Sequence, residues 1–132
     1  MKIKSEQEML DFGRNFKLKG NVIELVGDVG AGKTTFVRGL AKGLGVEEDV
    51  TSPSFTISKM YACKNGKNLV HYDFYRLSEP AIMSEDLLEK INDPDNIVVV
   101  EWADSVNNLL PDSHTKVEIQ YIDENVREIK VL

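Results

Sequence analysis

Eight consecutive residues, Gly27, Asp28, Val29, Gly30, Ala31, Gly32, Lys33 and Thr34, match the Walker A pattern G-x-x-x-x-G-K-[ST] at every fixed position. In this pattern the glycines let the backbone curl into a nest of N–H groups around phosphate oxygens. The positive end of the following helix dipole faces the same oxygens. Lys33 supplies a mobile point charge for the β- and γ-phosphates, and the Thr34 hydroxyl suits Mg²⁺, which takes oxygen ligands in an octahedron. Thr35 is the lesser candidate for that ligand, and Gly30 adds a third permissive backbone position. The same letters could describe a glycine-rich turn beside an unrelated lysine, so their surroundings decide. A β-rich run, Val22-Ile23-Glu24-Leu25-Val26, comes before them, and Phe36, Val37, Leu40, Ala41 and Leu44 after them share one helical face. Strand, glycine loop and helix in that order are the confirming context, and the chemistry implied is the binding of ATP or GTP with Mg²⁺.

Phosphoryl transfer also needs a metal beside the γ-phosphate and a group that orients the attacking oxygen, so acids at strand ends are the natural partners of such a loop. Asp73 and Glu101 qualify. Glu101 follows the apolar run Ile97-Val98-Val99-Val100 directly, as the acid of a Walker B strand does, and is expected to hold Mg²⁺ directly or through water. The competing reading is a strand-end carboxylate kept for solubility. Asp73 lies in His71-Tyr72-Asp73-Phe74-Tyr75-Arg76, where alternation puts His71 and Asp73 on one face, able to support one another. A histidine beside a carboxylate is more often a structural pair than a catalytic one. Arg76 is available to an acid or to phosphate. Trp102 offers a flat face to a base, although a tryptophan after a strand is more often packed in the core.

These residues need elements to carry them. Ser5-Glu6-Gln7-Glu8 reads as a capping box, and Met9, Phe12 and Phe16 then recur at helical spacing, which predicts a helix over residues 5–16. A turn at residues 19–21 leads into the strand before the loop. Gly45 stands where a left-handed residue would end the helix after it. Residues 55–63 and 69–72 flank Lys64-Asn65-Gly66-Lys67, whose Asn-Gly pair suits a hairpin turn. Pro80 opens a helix carrying Ile82, Met83, Leu87, Leu88 and Ile91, which ends by Asn92. Residues 97–101 form a strand covered on both faces. A short helix near residues 105–109 and a second hairpin, 116–122 with 127–132 across Asp123-Glu124-Asn125, complete the chain. Residues 1–132 thus make one α/β domain, a three-layer architecture with a mixed, mainly parallel central sheet and β-hairpins.

Composition narrows the partners. A chain of 132 residues suits a single core. A net charge of −6 and a pI near 4.9 disfavour direct binding to nucleic acid, which basic groups drive by releasing counterions. Contact with RNA or DNA would run through a partner protein, or through a local patch such as Lys59, Lys64 and Lys67. The longest apolar run, Ile97 to Val100, falls far below the roughly 20 residues of a bilayer span, and no apolar stretch follows the charged start, so a cytoplasmic location is expected. Cys63, the single cysteine, cannot form an internal disulfide and is assigned no role.

Four segments, taken together, resemble a known family. They are Gly27-Asp28-Val29-Gly30-Ala31-Gly32-Lys33-Thr34-Thr35-Phe36, Thr51-Ser52-Pro53-Ser54-Phe55-Thr56, His71-Tyr72-Asp73-Phe74-Tyr75-Arg76-Leu77 and Val100-Glu101-Trp102. In order and spacing they are similar to the TsaE (YjeE) family, bacterial P-loop ATPases of tRNA threonylcarbamoyladenosine synthesis. The likeness runs from about Val22 to Trp102, and the second and third segments are more specific than the phosphate loop. The resemblance implies a P-loop NTPase fold in which residues Gly27 to Thr35 and Trp102 meet ATP. It also implies that Ser52, Pro53, Ser54, Phe55 and Thr56 form a switch-like loop, and that Asp73 and Glu101, with Thr34, serve metal binding and hydrolysis. The implied partners are a metal-containing threonylcarbamoyl transferase and its dimerising paralogue, which modify N6 of adenosine 37. ATP hydrolysis would drive or reset that complex, and tRNA would be met only through these partners. Ser54, Leu87 and Ala103 depart from the family's usual Thr, Gly and Pro. The last two bear on partner contacts more than on ATP.

Two other classes stand beside this one. A small-molecule kinase needs an arginine-rich lid, and after Glu101 the chain has only Arg127, in an expected terminal strand. A non-hydrolysing module would order a partner surface when nucleotide binds. ATP is favoured over GTP by the lack of an Asn-Lys-x-Asp segment and by the resemblance. Without an evident arginine finger, slow turnover by the chain alone is expected.

Overall fold

The computed structural model describes residues 1–28, 30–51, 58–74, 81–103 and 107–132. Its chain order is β1 (Lys2–Ile3), α1 (Glu6–Arg14), β2 (Val22–Val26), α2 (Lys33–Gly43), β3 (Ser58–Ala62), β4 (Asn68–Asp73), α3 (Ala81–Asn92), β5 (Asn96–Glu101), β6 (Thr115–Asp123) and β7 (Val126–Val131). The described strands form one sheet in the order β1-β7-β6-β2-β5-β4-β3. Every residue of β5 is buried, as its unbroken apolar run requires of a strand covered on both faces. The four middle strands, β6, β2, β5 and β4, run parallel. Antiparallel strands extend the sheet at both ends, β3 on β4 and β7 then β1 on β6. A mixed sheet with a parallel centre and two hairpins is thus what forms. The two-residue β1 is too short to show a period and was not foreseen.

Alternation along the strands divides the core in two. Ile23, Leu25, Leu69, Ile97, Val99 and Val117 face α2, where Phe36, Val37 and Leu40 cover them, with Met9 of α1 in the same cluster. Val22, Val70, Tyr72, Val98 and Val100 face the opposite way and meet Leu87 and Ile91 of α3. Helices on both sides of the sheet give the three expected layers. Leu87, one of the departures from the family pattern, is fully buried there and fills core volume. Among the described residues no helix is long and apolar enough to cross a membrane.

Local signals act much as the sequence suggests, with some ends corrected. The Ser5 hydroxyl accepts the Glu8 N–H at 3.1 Å and starts α1. The helix stops at Arg14 and not at residue 16, because Asn15 turns back to donate its side-chain amide to the Asp11 carbonyl at 2.9 Å. Asn65 and Gly66 take φ of 64° and 73°, the positive pair that a tight hairpin turn demands, and the Cys63 N–H donates to Lys67 O at 2.8 Å. Of the strand expected over residues 55–63, β3 shows Ser58–Ala62, and residues 55–57 lie outside the described residues. Of the short helix expected near residues 105–109, the described part is a 3₁₀ turn, Asn107–Leu109, and residues 104–106 lie outside the described residues.

Helix α1 lies against α2 backbone to backbone. A Cβ added at Gly39 would sit 2.2 Å from the Leu10 carbonyl oxygen, one at Gly43 2.4 Å from that of Arg14, and one at Gly13 2.3 Å from that of Phe36. These three glycines let the helices touch where any side chain would part them, and so hold the helix that begins at the glycine loop. Gly39→Ala gains about 1 kcal/mol of helix propensity but must push the helices apart. We expect a net loss of about 1–3 kcal/mol, read as a lower thermal midpoint. A raised midpoint would mean that the helices separate freely.

Tyr72 of β4 is fully buried, and its hydroxyl donates to the Asp86 carboxylate of α3. Burial first, and then this carboxylate, push its pKa above the usual tyrosine value of 10.0. The folded state therefore keeps a proton that the unfolded chain gives up, and Tyr72 stabilises the fold below about pH 10, an advantage that falls away as pH rises beyond it. Tyr72→Phe should leave the alkaline tyrosine titration of the folded protein unchanged up to about pH 11. Disappearance of an ionisation step near pH 10 in that variant would contradict the burial argument.

Candidate functional site

The parallel strands deliver their C-terminal ends to one edge of the sheet, the edge at which α/β folds take ligands. There β2 runs into Gly27, while Asp73 at the end of β4 pairs in register with Glu101 at the end of β5. The Phe74 N–H donates to the Glu101 carbonyl at 3.1 Å and locks these two ends together. Between β2 and α2 the chain turns through Gly30 and Gly32, whose φ of 84° and 104° suit glycine alone. A Cβ at Gly27 would meet the Ile119 carbonyl oxygen at 2.7 Å, so the loop's first glycine is required by its neighbour strand. Helix α2 then starts at Lys33 with Gly32 as N-cap, and among the described residues no side-chain hydrogen bond caps it and no acid lies in its first turn, so its positive dipole end suits an anion. Val29 lies outside the described residues.

The Lys33 ammonium is folded inward. It donates to the Gly27 carbonyl at 2.6 Å, lies 3.5 Å from Oε1 of Glu101, and stands 4.6 Å above the centroid of the Trp102 ring. Glu101 is in turn held on its other oxygen: His71 Nε2 and Glu101 Oε2 are 2.5 Å apart. The three side chains make a buried chain of contacts, with exposures of 9 % for Lys33, 4 % for Glu101 and 0 % for His71. Among the described residues His71 Nδ1 has no hydrogen-bond partner. The ring therefore satisfies Glu101 as a donor through Nε2–H, the tautomer that this pairing selects.

The expected support of Asp73 by His71 is corrected here, since His71 supports Glu101. All three share the α2 face of the sheet. Residues two apart on a strand project in parallel, nearly 7 Å apart, whereas the longer glutamate spans the diagonal to the next strand. Trp102 has φ of 57°, a left-handed conformation unusual for a bulky residue, and this bend turns the indole over Lys33. Ala103, where the family pattern has Pro, is buried behind it.

Two cavities flank the loop. The larger, about 530 Å³, is lined by Lys4, Ser5, Met9, Gly30, Thr35 and Arg127 among others. The smaller, about 130 Å³, lies by Asp28, Lys33, Trp102 and Ala103. Arg127 lies in a terminal strand, as expected, and that strand folds back beside β6 and carries the guanidinium to the loop. There it stacks on Tyr121 with 4.4 Å to the ring centroid, donates to the Asp123 carbonyl at 2.6 Å, and reaches the Gly30 carbonyl at 3.4 Å. A further pair was not foreseen: His114 Nε2 lies 2.9 Å from Oε1 of Glu24, a buried acid of β2, and His114 Nδ1 lies 2.6 Å from the Pro111 carbonyl oxygen. The lone acid within Val22-Ile23-Glu24-Leu25-Val26 was the signal available for it.

The structure thus brings Gly27, Gly32, Lys33, Glu101, Trp102 and Asp73 to one edge, with Thr34 and Thr35 in the first turn of α2. Ser52, Pro53, Ser54, Phe55, Thr56 and Arg76 lie outside the described residues. Lys59 donates to the Thr51 hydroxyl at 2.5 Å on β3, and Lys64 and Lys67 flank the turn of the same hairpin, so the basic cluster sits at a sheet edge. Cys63 is half-buried, and burial pushes its thiol pKa up, away from reactivity. Among the described residues no three His, Cys, Asp or Glu side chains converge to hold a metal unaided. Thr34, Asp73 and Glu101 carry hard oxygen donors only, the chemistry that would fit Mg²⁺.

The family model described as threonylcarbamoyl adenosine biosynthesis protein TsaE matches residues 3–129. The tRNA threonylcarbamoyladenosine biosynthesis protein TsaE of Haemophilus influenzae is 35% identical over 138 residues, covering 98% of this chain and 86% of its own length. The protein of the same name from Bacillus subtilis (strain 168) is 40% identical over 116 residues, covering 86% and 70%. The crystal structure of Bacillus subtilus YdiB superposes with a TM-score of 0.72 at 32% identity, over 98% of this chain and 80% of that one. With the same loop, strand ends and order of elements now seen in three dimensions, the chain belongs to the TsaE family of threonylcarbamoyl adenosine biosynthesis proteins.

Proposed function

We propose that this chain is a Mg²⁺-dependent ATP-binding protein and slow ATPase that drives or resets the complex installing threonylcarbamoyl on N6 of adenosine 37 in tRNA. The observation that supports this most is the contact of Lys33, at the head of an uncapped helix, with the strand-end acid Glu101. On this reading the N–H groups of the loop and of the α2 start take the phosphates. Lys33 exchanges the Gly27 carbonyl and Glu101 for the β- and γ-phosphates. Thr34, Asp73 and Glu101 hold Mg²⁺, which supplies charge neutralisation on the phosphate oxygens. Lys33 faces Glu101 and Trp102, while Thr35 and Gly30 face the larger cavity, so ribose and base enter that cavity and Trp102 lies beside the phosphate end. Ser52, Pro53, Ser54, Phe55 and Thr56 serve as the switch-like loop.

Arg127 meets the loop at Gly30 and not at the Lys33–Glu101 end, so the chain alone turns over slowly. The partners are the threonylcarbamoyl transferase subunit and its dimerising paralogue in the cytoplasm. With a net charge of −6, this subunit leaves the tRNA to them.

Titration calorimetry with ATP and Mg²⁺, followed by hydrolysis assays with the transferase, its paralogue and tRNA added in turn, tests the reading. Lys33→Ala should weaken binding at least about tenfold, through loss of charge-assisted contacts worth roughly 1.5–3 kcal/mol. Asp73→Ala and Glu101→Ala should keep most of the binding and lose most of the turnover. Wild-type turnover in both acid variants would remove Asp73 and Glu101 from the site. Phosphate transfer to a small-molecule acceptor, without stimulation by the partners, would favour a kinase.

A further inference from the structure

His71 is the buried titratable group in the site to which no role has yet been given. Its ring is fully enclosed on β4, two residues beyond Leu69 on the same face, where an apolar side chain would pack without cost. Instead the position carries an imidazole whose Nδ1 is buried with no partner, a penalty the packing alone does not repay. What the ring gains is one short contact, Nε2 to Glu101 Oε2 at 2.5 Å. Glu101 meanwhile divides its two oxygens: Oε2 faces His71, and Oε1 faces Lys33 at 3.5 Å.

We infer that His71 is the positioning residue for Glu101, a buried strut whose Nε2–H holds Oε2 so that Oε1 stays aimed at the loop when Lys33 leaves it for phosphate. The inference rests on the ATPase reading above. With Lys33 bound to nucleotide, Oε1 loses its only described partner, and a carboxylate anchored at neither oxygen would turn about its last side-chain bond. Anchored by His71, it keeps one oxygen presented where metal and γ-phosphate meet. Without the strut the freed carboxylate would also close on Lys33 and compete with the phosphate for it.

Two amide variants separate this role from ring packing. In His71→Gln the amide nitrogen falls where Nε2 lies and can still donate to Glu101. In His71→Asn it falls where Nδ1 lies and cannot reach. Both are polar and smaller than the ring, so damage to the fold would strike the two alike. We expect His71→Asn to lower kcat about 10- to 100-fold and to raise by a similar factor the Mg²⁺ concentration that half-saturates the Mg²⁺-dependent part of ATP affinity. ATP affinity without Mg²⁺ should stay within about threefold of wild type, and His71→Gln should recover most of both losses. The Mg²⁺ titration is read by calorimetry on the chain alone, and kcat with the partner proteins. Asn and Gln variants that both match wild type, or that fail equally, would overturn the strut while leaving nucleotide binding by the wild type intact. A wild-type chain that binds no ATP would overturn both the strut and the reading beneath it.

Discussion

A carboxylate buried between a lysine and a histidine is the constraint around which this fold is arranged. An ionised Glu101 at 4 % exposure would be costly alone, and it is tolerable because Lys33 and His71 each compensate one of its oxygens. Each of the three sits on a different element. Lys33 opens α2, His71 is inside β4 and Glu101 ends β5, so the contact closes only when the parallel pairing of β4, β5 and β2 is in register and α2 lies over their shared face. A one-residue slip in β4 would turn His71 to the α3 side and leave the carboxylate without its donor. The glycine loop depends on the same register, because Gly27 fits only against the Ile119 carbonyl of β6.

Backbone geometry supplies what side chains cannot. The left-handed Gly30 and Gly32 let the chain leave β2 and enter α2 within a few residues. The left-handed Trp102 breaks the extended line of β5, and its indole covers Lys33. A bulky residue held there costs of order 1–3 kcal/mol, and the buried Ala103 behind it leaves room for the turn.

Much of this was legible in the sequence, for local reasons. The Ser5 cap, the Asn65-Gly66 turn, the apolar run of β5 and the glycine loop each carry their signal within a few residues. What escaped is what depends on residues far apart in the chain. Alternation correctly put His71 and Asp73 on one face but could not show that the diagonal across two strands favours Glu101. That Arg127, in the last strand, comes near the glycine loop is revealed only by the order β7-β6-β2 and its contact with the Gly30 carbonyl. Gly13, Gly39 and Gly43 carry no local signal of their role, which is to form the surface along which α1 and α2 touch. The two-residue β1 offers no period to read. For Leu87 and Ala103, both unlike the family pattern, the structure supplies a packing role that pattern alone could not.

The contact between α1 and α2 has a mechanical side. Backbones that touch at Gly13, Gly39 and Gly43 cannot slide without climbing over one another's carbonyl groups, which ties the position of α1 to that of α2. One end of this helix pair, at Ser5 and Met9, borders the large cavity beside Gly30 and Thr35. Its other end is tied to the β3–β4 hairpin, where the Lys64 N–H donates to the Leu44 carbonyl at 3.1 Å. The wall of the cavity and the edge of the sheet are thus joined through one continuous pair of helices.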